Sequence, residues 1–176
     1  PYWWELAVDR YHDQIETPIY HLGGWFDIFL AGTLKNYAGL RQRARTEAAR
    51  RAQKLIIGPW IHGSSNTNVT KAGDIDFGAD AARDINELRL PWFDHLLKGE
   101  QTGILDEPPV QIFVMGRNQW RAEQDWPLPD TKYCKYYLHD GTSGSVDSLK
   151  DGTLSATPPS GSEHPDSFEY DPDHPV

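Results

Sequence analysis

The chain has 176 residues, 38% of them hydrophobic and 12% aromatic, which is enough for one full domain or for parts of two. Seventeen basic against twenty-six acidic residues leave a net charge of -9, a balance that repels phosphate backbones and anionic lipid, so neither nucleic acid nor a membrane surface is expected as a partner. The single cysteine, Cys134, excludes an internal disulfide and a cysteine-based metal cluster, and no apolar run approaches the ~20 residues that a membrane span needs.

The chain opens "PYWWEL" and its only methionine is Met115, so the expectation is a piece of a longer protein. No signal-peptide pattern stands out, and the compartment is left open with the cytoplasm favoured. Residues 18–22 and 54–57 are short, continuous apolar runs bounded by Gly and Pro. Strands buried on both faces of a parallel sheet read this way. Between them the spacing predicts a helix that Asp27 caps, with Ile28, Ala31, Leu34 and Ala38 on one face and Gly39 as its stop. The basic run Arg41, Arg43, Arg45, Arg50, Arg51 and Lys54 reads as a solvated helix face. A second helix is predicted over 79–98, with Ile85, Leu88, Trp92 and Leu96 on one face, a kink at Pro91 and a stop at Gly99. Strand, helix, strand, helix is the α/β pattern. The character then changes. "PPVQIFVMG" is a strand, "WPLP" (Trp126 to Pro129) is extended punctuation, and "KYYLHD", "GTLSATPP" and "DSFEYDPDHPV" are short β-like runs between Gly, Ser, Pro and Asp. Cys134 falls in the strand-like "YCKYYL", where a thiol packs. The expected division is 1–129 as an α/β portion and 130–176 as the start of an all-β domain.

Two residues stand just beyond the predicted parallel strands: Asp27 after "PIYHLGGWF" and His62 after "KLIIGPWI". Open α/β sheets place their ligands at the carboxyl ends of such strands. An acid followed later in the chain by a histidine matches the back half of a Ser…Asp…His order, in which the histidine takes the nucleophile's proton and the acid fixes its tautomer. If the strands are parallel neighbours, an Asp27 oxygen can accept from Nδ1–H of His62, at roughly 2.7 to 2.9 Å for a charge-assisted bond. On pattern alone Asp27 as a helix cap and His62 as a backbone-bonded loop histidine remain open. His21, His95, His139, His164 and His174 lie inside elements or polar turns and read as structural or solvated. Asp74, Asp76 and Asp80, and Asp171, Asp173 and His174, are acidic groups without calcium-loop spacing. No metal and no cofactor is therefore expected. Seven Trp and eight Tyr leave a second class of function open, a β-rich carbohydrate- or ligand-binding module, which predicts exposed Trp rings along a sheet groove.

"PIYHLGGWFDIF", "LIIGPWIHG", "DFGADA", "LPWFDHLLKGE", "PPVQIFVMGRNQWR" and "WPLPDTKYCKYYL" together resemble the CocE/NonD hydrolases, serine hydrolases related to cocaine esterase and X-Pro dipeptidyl-peptidases. The resemblance implies the C-terminal part of an α/β-hydrolase domain followed by the start of a jelly-roll domain. It places the catalytic acid on Asp27 and the catalytic histidine on His62. It also implies that the nucleophilic serine, on a G-x-S-x-x-G-type elbow, and the oxyanion-hole donors belong to a missing N-terminal part of the same protein. Ser64 and Ser65 follow His62 too closely to serve, and "GTSGS" (141–145) lies in the polar β-rich half. Relatives selective for α-amino acyl groups carry acids just after the catalytic acid, where this chain has Ile28 and Phe29. The implied substrate is a small-molecule ester or amide with an uncharged acyl group. Phe29 is then a wall of the acyl pocket or, equally, a core residue under the sheet edge.

Overall fold

Two apolar runs frame the first part of the molecule, and both extend further than their sequence punctuation predicts. The computed structural model describes residues 2–63, 67–141, 152–165 and 171–173, and the chain divides into two units, Pro1–Asp130 and Thr131–Val176. In the first unit, strand β1 (Tyr20–Phe26) continues through Gly23-Gly24, and β2 (Lys54–Ile61) continues through Gly58-Pro59. They pair in parallel from Tyr20↔Lys54 to Gly24↔Gly58, as expected of neighbouring buried strands. Every residue of β2 from Lys54 to Trp60 is buried. Pro59 is tolerated because the ladder shifts register beside it, and bulges are among the few places a sheet accepts proline.

The chain crosses from β1 to β2 through α2 (Leu30–Arg43) and α3 (Glu47–Arg51), after a short opening helix α1 (Tyr2–Leu6). Helix α2 starts later and ends later than its pattern predicts. Asp27 is not its cap: the Asp27 carboxylate accepts the Phe29 N–H at 2.8 Å, forming a turn before the helix begins. Gly39 is not its stop, since α2 runs on to Arg43. A Cβ at Gly39 would lie 2.1 Å from Nδ1 of His12, so glycine is there to admit a ring. His12 is buried, accepting from Arg43 Nη2 at 2.7 Å and meeting Asn36 Oδ1 at 3.0 Å. The basic run is also not one solvated face. Lys54 lies on β2 with its side chain 3% exposed, donating to the Ile104 carbonyl at 2.7 Å and pairing with Glu107, and burial lowers its pKa.

From β2 the chain makes the small hairpin β3 (Lys71–Ala72) and β4 (Ile75–Asp76), then α4 (Ile85–Phe93). The long helix predicted over 79–98 is divided. Ala79–Ala81 is a separate 3-10 turn, Asp84 caps α4 by accepting from Asn86 N–H at 2.8 Å, and Asp94–Lys98 is a turn of π-helix. Pro91 lacks the amide that would bond one turn back, and the regular helix lasts only two residues beyond it. Gly99, left-handed at φ 74°, closes the segment as expected. Strand β5 (Val110–Val114) then lies parallel to β2 on its far side, and β6 (Gln119–Glu123), unmarked in the sequence reading, pairs antiparallel at the edge. The mixed sheet has the order β1-β2-β5-β6.

Strand alternation divides the core. Leu55, Ile57, Val110 and Ile112 pack with Tyr37 of α2, and with Trp126 and Leu128 of the "WPLP" segment, which bends and turns rather than running extended as predicted. Phe113 instead meets Ala72, Phe77, Ala81 and Trp120. Each fully buried Leu or Ile contributes about 1.5–3 kcal/mol, so the three-stranded parallel part is the anchored region of the unit.

In the second unit β7 (Tyr137–Asp140) and β8 (Gly152–Ser155) form an antiparallel pair. Strand structure begins only at Tyr137. Cys134 precedes it in an irregular segment and is exposed, so its thiol does not pack as predicted. Most of "DSFEYDPDHPV", and "GTSGS" after Gly141, lie outside the described residues.

Candidate active site

Because β1 and β2 run parallel, their carboxyl ends share one edge of the sheet, with Asp27 just past Phe26 and His62 just past Ile61. The two side chains meet there. His62 Nδ1 lies 3.1 Å from Asp27 Oδ1, at the long end of the usual range for an N–H···O bond and looser than the 2.7–2.9 Å of a tight charge-assisted one. An ionised carboxylate is acceptor-only, so His62 is the donor and carries a proton on Nδ1. The same Asp27 oxygen also accepts the Phe29 N–H at 2.8 Å. The acid is the more sheltered partner, its side chain 16% exposed against 57% for the histidine.

Phe29 joins them. Its ring stands edge-on to the His62 ring, with centroids 5.0 Å apart and planes at 75°. It is 61% exposed among these residues. Phe26, Ile28 and Ile61 are also exposed, giving the Asp27–His62 pair an apolar surround with no carboxylate at positions 28 or 29. Beneath the pair a concavity of about 210 Å³ is lined by Gly23, Gly24, Trp60, Gly63 and Thr67 as well as by Asp27 and His62. Trp60 and Thr67 were not singled out by sequence; the Trp in "GPWIH" was the available signal, and Thr67 carried none.

Four other histidines are committed to structure. His12 is enclosed by Asn36 and Arg43. His21 is buried on β1 against Gln53 at 2.8 Å, and desolvation lowers its pKa, which keeps it neutral. His95 meets the Glu100 carbonyl, and His139 contacts Glu163 and Thr157 within the second unit. His164 is exposed near Asp140, while Ser64, Ser65 and His174 lie outside the described residues. Among the described residues no group of three His, Cys, Asp or Glu is placed to hold a metal ion. Asp76 and Asp171 spend a carboxylate oxygen on local turns, accepting from Gly78 and Asp173 N–H. The tryptophans do not form a row in a sheet groove: Trp60 and Trp92 are buried, and the strongly exposed Trp3 and Trp4 sit on α1.

Residues 1–64 match the family model of the X-Pro dipeptidyl-peptidases (S15 family), and residues 102–173 match that of the X-Pro dipeptidyl-peptidase C-terminal non-catalytic domain. The cocaine esterase of Rhodococcus sp. (strain MB1 Bresler) is 34% identical over 178 residues, covering 99% of this chain and 29% of that protein. The chain belongs to the CocE/NonD, X-Pro dipeptidyl-peptidase-like family. It spans under a third of the length of that curated relative. An aminopeptidase from a marine sediment Thaumarchaeota archaeon shares the fold over 79% of this chain and 26% of its own, at TM-score 0.63 and 24% identity. An α-amino acid ester hydrolase does so over 79% and 27%, at TM-score 0.58 and 24% identity. These neighbours agree with an α/β portion followed by a β portion. The non-catalytic family model begins at residue 102, although β5 and β6 pack into the sheet of the first unit.

Proposed function

We propose that this chain supplies the acid and the base of a serine hydrolase that cleaves esters or amides with an uncharged acyl group. The observation that carries the reading is the 3.1 Å contact between His62 Nδ1 and Asp27 Oδ1 across the ends of two adjacent parallel strands. The residues are separated by a helical crossover, so local chain geometry does not account for their meeting.

In this reading Asp27 holds the Nδ1–H tautomer of His62 and stabilises the imidazolium that forms during turnover. Nε2 takes the proton of a serine hydroxyl as that oxygen attacks the acyl carbon, then returns it to the leaving alcohol or amine. The serine and the oxyanion-hole donors lie upstream of these residues in the same protein. A Ser-His-Asp mechanism of this kind uses no cofactor. Phe29 forms a wall of the acyl pocket. With Ile28 and Phe29 following Asp27, an acyl ammonium has no partner there, which favours an uncharged acyl group. Residues 1–129 are assigned to the catalytic α/β-hydrolase domain, and 130–176 to the beginning of a jelly roll, for which the β7–β8 pair is the supporting element.

The test is aryl-ester hydrolysis and fluorophosphonate labelling. In the full natural protein, Asp27→Asn is expected to lower kcat by about 10⁴-fold with binding largely retained. These 176 residues alone are expected neither to turn over nor to label. Wild-type turnover by Asp27→Asn, or stoichiometric serine labelling of the 176 residues alone, would sink the assignment.

A further inference from the structure

The ladder between β1 and β2 is not straight where it matters. It runs in step to Gly24↔Gly58 and resumes at Phe26↔Ile61, so β1 advances two residues while β2 advances three. Bulges in parallel pairs are rare, and they re-aim side chains next to functional sites. Continued in step, the pairing would set Phe26 against Trp60, Asp27 against Ile61 and Ile28 against His62. One residue of slip is ~3.3 Å along the strand, enough to take His62 out of bonding reach of Asp27.

We infer that the extra residue at Pro59-Trp60 is the register device that sets Asp27 opposite His62, and that Trp60 and Gly24 are positioning residues for the pair. This rests on the catalytic reading of that pair. Trp60 is 1% exposed and its indole N–H donates to the Ala81 carbonyl at 2.9 Å, while its ring lies against Trp120 with centroids 5.6 Å apart. Those contacts hold the bulged residue down, two positions before His62. The two glycines of the last in-step pair make room for it. A Cβ on Gly24 would fall 2.1 Å from the Trp60 carbonyl oxygen, and one on Gly58 2.3 Å from the Trp60 ring. The Gly24 contact is with backbone, which no rotamer change relieves, so a side chain there must push β1 and β2 apart just before their functional ends.

The experiment uses the full natural protein with three substitutions, Gly24→Ala, Trp60→Phe and Asp27→Asn, reading kcat, KM and the His62 ring N–H proton by NMR. Asp27→Asn is the control for the bond itself and should move that resonance out of its low-field position. Gly24→Ala and Trp60→Phe should weaken the same resonance, speed its exchange with solvent, and lower kcat between about 10- and 100-fold with KM little changed. A residue that only supported the fold would leave the ring proton where it is. If folded Gly24→Ala and Trp60→Phe both keep the wild-type resonance and kcat while Asp27→Asn loses them, the positioning role is wrong. Should Gly24→Ala not fold, Trp60→Phe, which removes the indole donor together with part of the buried ring, decides the matter alone through the ring-proton readout. If Asp27→Asn itself leaves kcat unchanged, the catalytic reading fails, and the ring-proton comparison still decides whether the bulge sets the pair.

Discussion

Helix α2 offers a controlled comparison, because it contains two glycines whose replacement by alanine should act in opposite directions. At Gly32 an added Cβ meets nothing within 4 Å. Ala at a helix interior gains about 1 kcal/mol over Gly, and since Gly32 lies in the first turn the gain should fall nearer ~0.5 kcal/mol. At Gly39 the same propensity gain is opposed by a collision, with the new Cβ 2.1 Å from Nδ1 and 2.2 Å from Cε1 of His12. The ring has little room to retreat, being 1% exposed and tied to both Asn36 and Arg43. Overpacking costs about 1–3 kcal/mol, and losing the bond from the charged Arg43 adds about 1.5–3 kcal/mol. Even after subtracting ~1 kcal/mol of propensity, Gly39→Ala should destabilise by about 1.5–5 kcal/mol. Urea midpoints of the two variants check this, with the His12 ring resonances as a local probe. If Gly39→Ala is as stable as Gly32→Ala, or leaves the His12 resonances unmoved, the packing of His12 against α2 is misjudged.

Thr46→Ala should cost about 1 kcal/mol, seen as a lower urea midpoint, because the Thr46 hydroxyl caps α3 by accepting from Ala49 N–H at 3.1 Å. Trp25→Phe should cost about 1–3 kcal/mol by the same measurement, since it leaves the Phe113 carbonyl without the indole donor now 2.7 Å away. In the second unit, His139 faces two acceptors, the Thr157 carbonyl at 2.8 Å and Glu163 at 2.7 Å, and its pKa is raised above 6.5 by the Thr157 bond first and then by Glu163 and Asp140. Its contribution is therefore complete below pH ~6.5 and is lost as pH rises through the folded value. Asp140 is shifted the other way, lowered chiefly by the His164 N–H, so its contribution is present above pH ~3.8 and lost on acidification. Amide protection factors of β7 and β8 should therefore peak between these limits, and a flat profile from about pH 4 to 9 would refute the assignment.

Much of the architecture is legible in the chain, for stated reasons. Residues 18–22 and 54–57 are apolar without alternation, a pattern that suits strands of a parallel sheet; β2 is buried along 54–57, whereas 18–22 is mostly half-buried on the outer strand β1. Their being parallel neighbours then brings an acid and a histidine 35 residues apart to one edge, where they bond at 3.1 Å. What was not legible depends on contacts that no periodicity encodes. Gly39 has the look of a stop because glycine commonly ends helices, yet it answers to a histidine in an earlier turn. Lys54 was read as solvated because lysine usually is, yet the carbonyl of Ile104 and the carboxylate of Glu107 give its ammonium partners at the sheet. Strand β6 alternates only weakly, since most of "QWRAE" faces outward at a sheet edge.

The largest departure from the sequence pattern falls beside Asp27 and His62, and its cause is physical. Gly23-Gly24 and Gly58-Pro59 are the residues that end strands in most chains, so both strands were cut short there. In this fold they lie inside the strands: the missing Cβ of Gly24 leaves room for the Trp60 carbonyl and that of Gly58 for the Trp60 ring, while β2 takes an extra residue. Local rules are broken most where a chain holds functional groups in place, and here the break lies within four residues of Asp27 and His62.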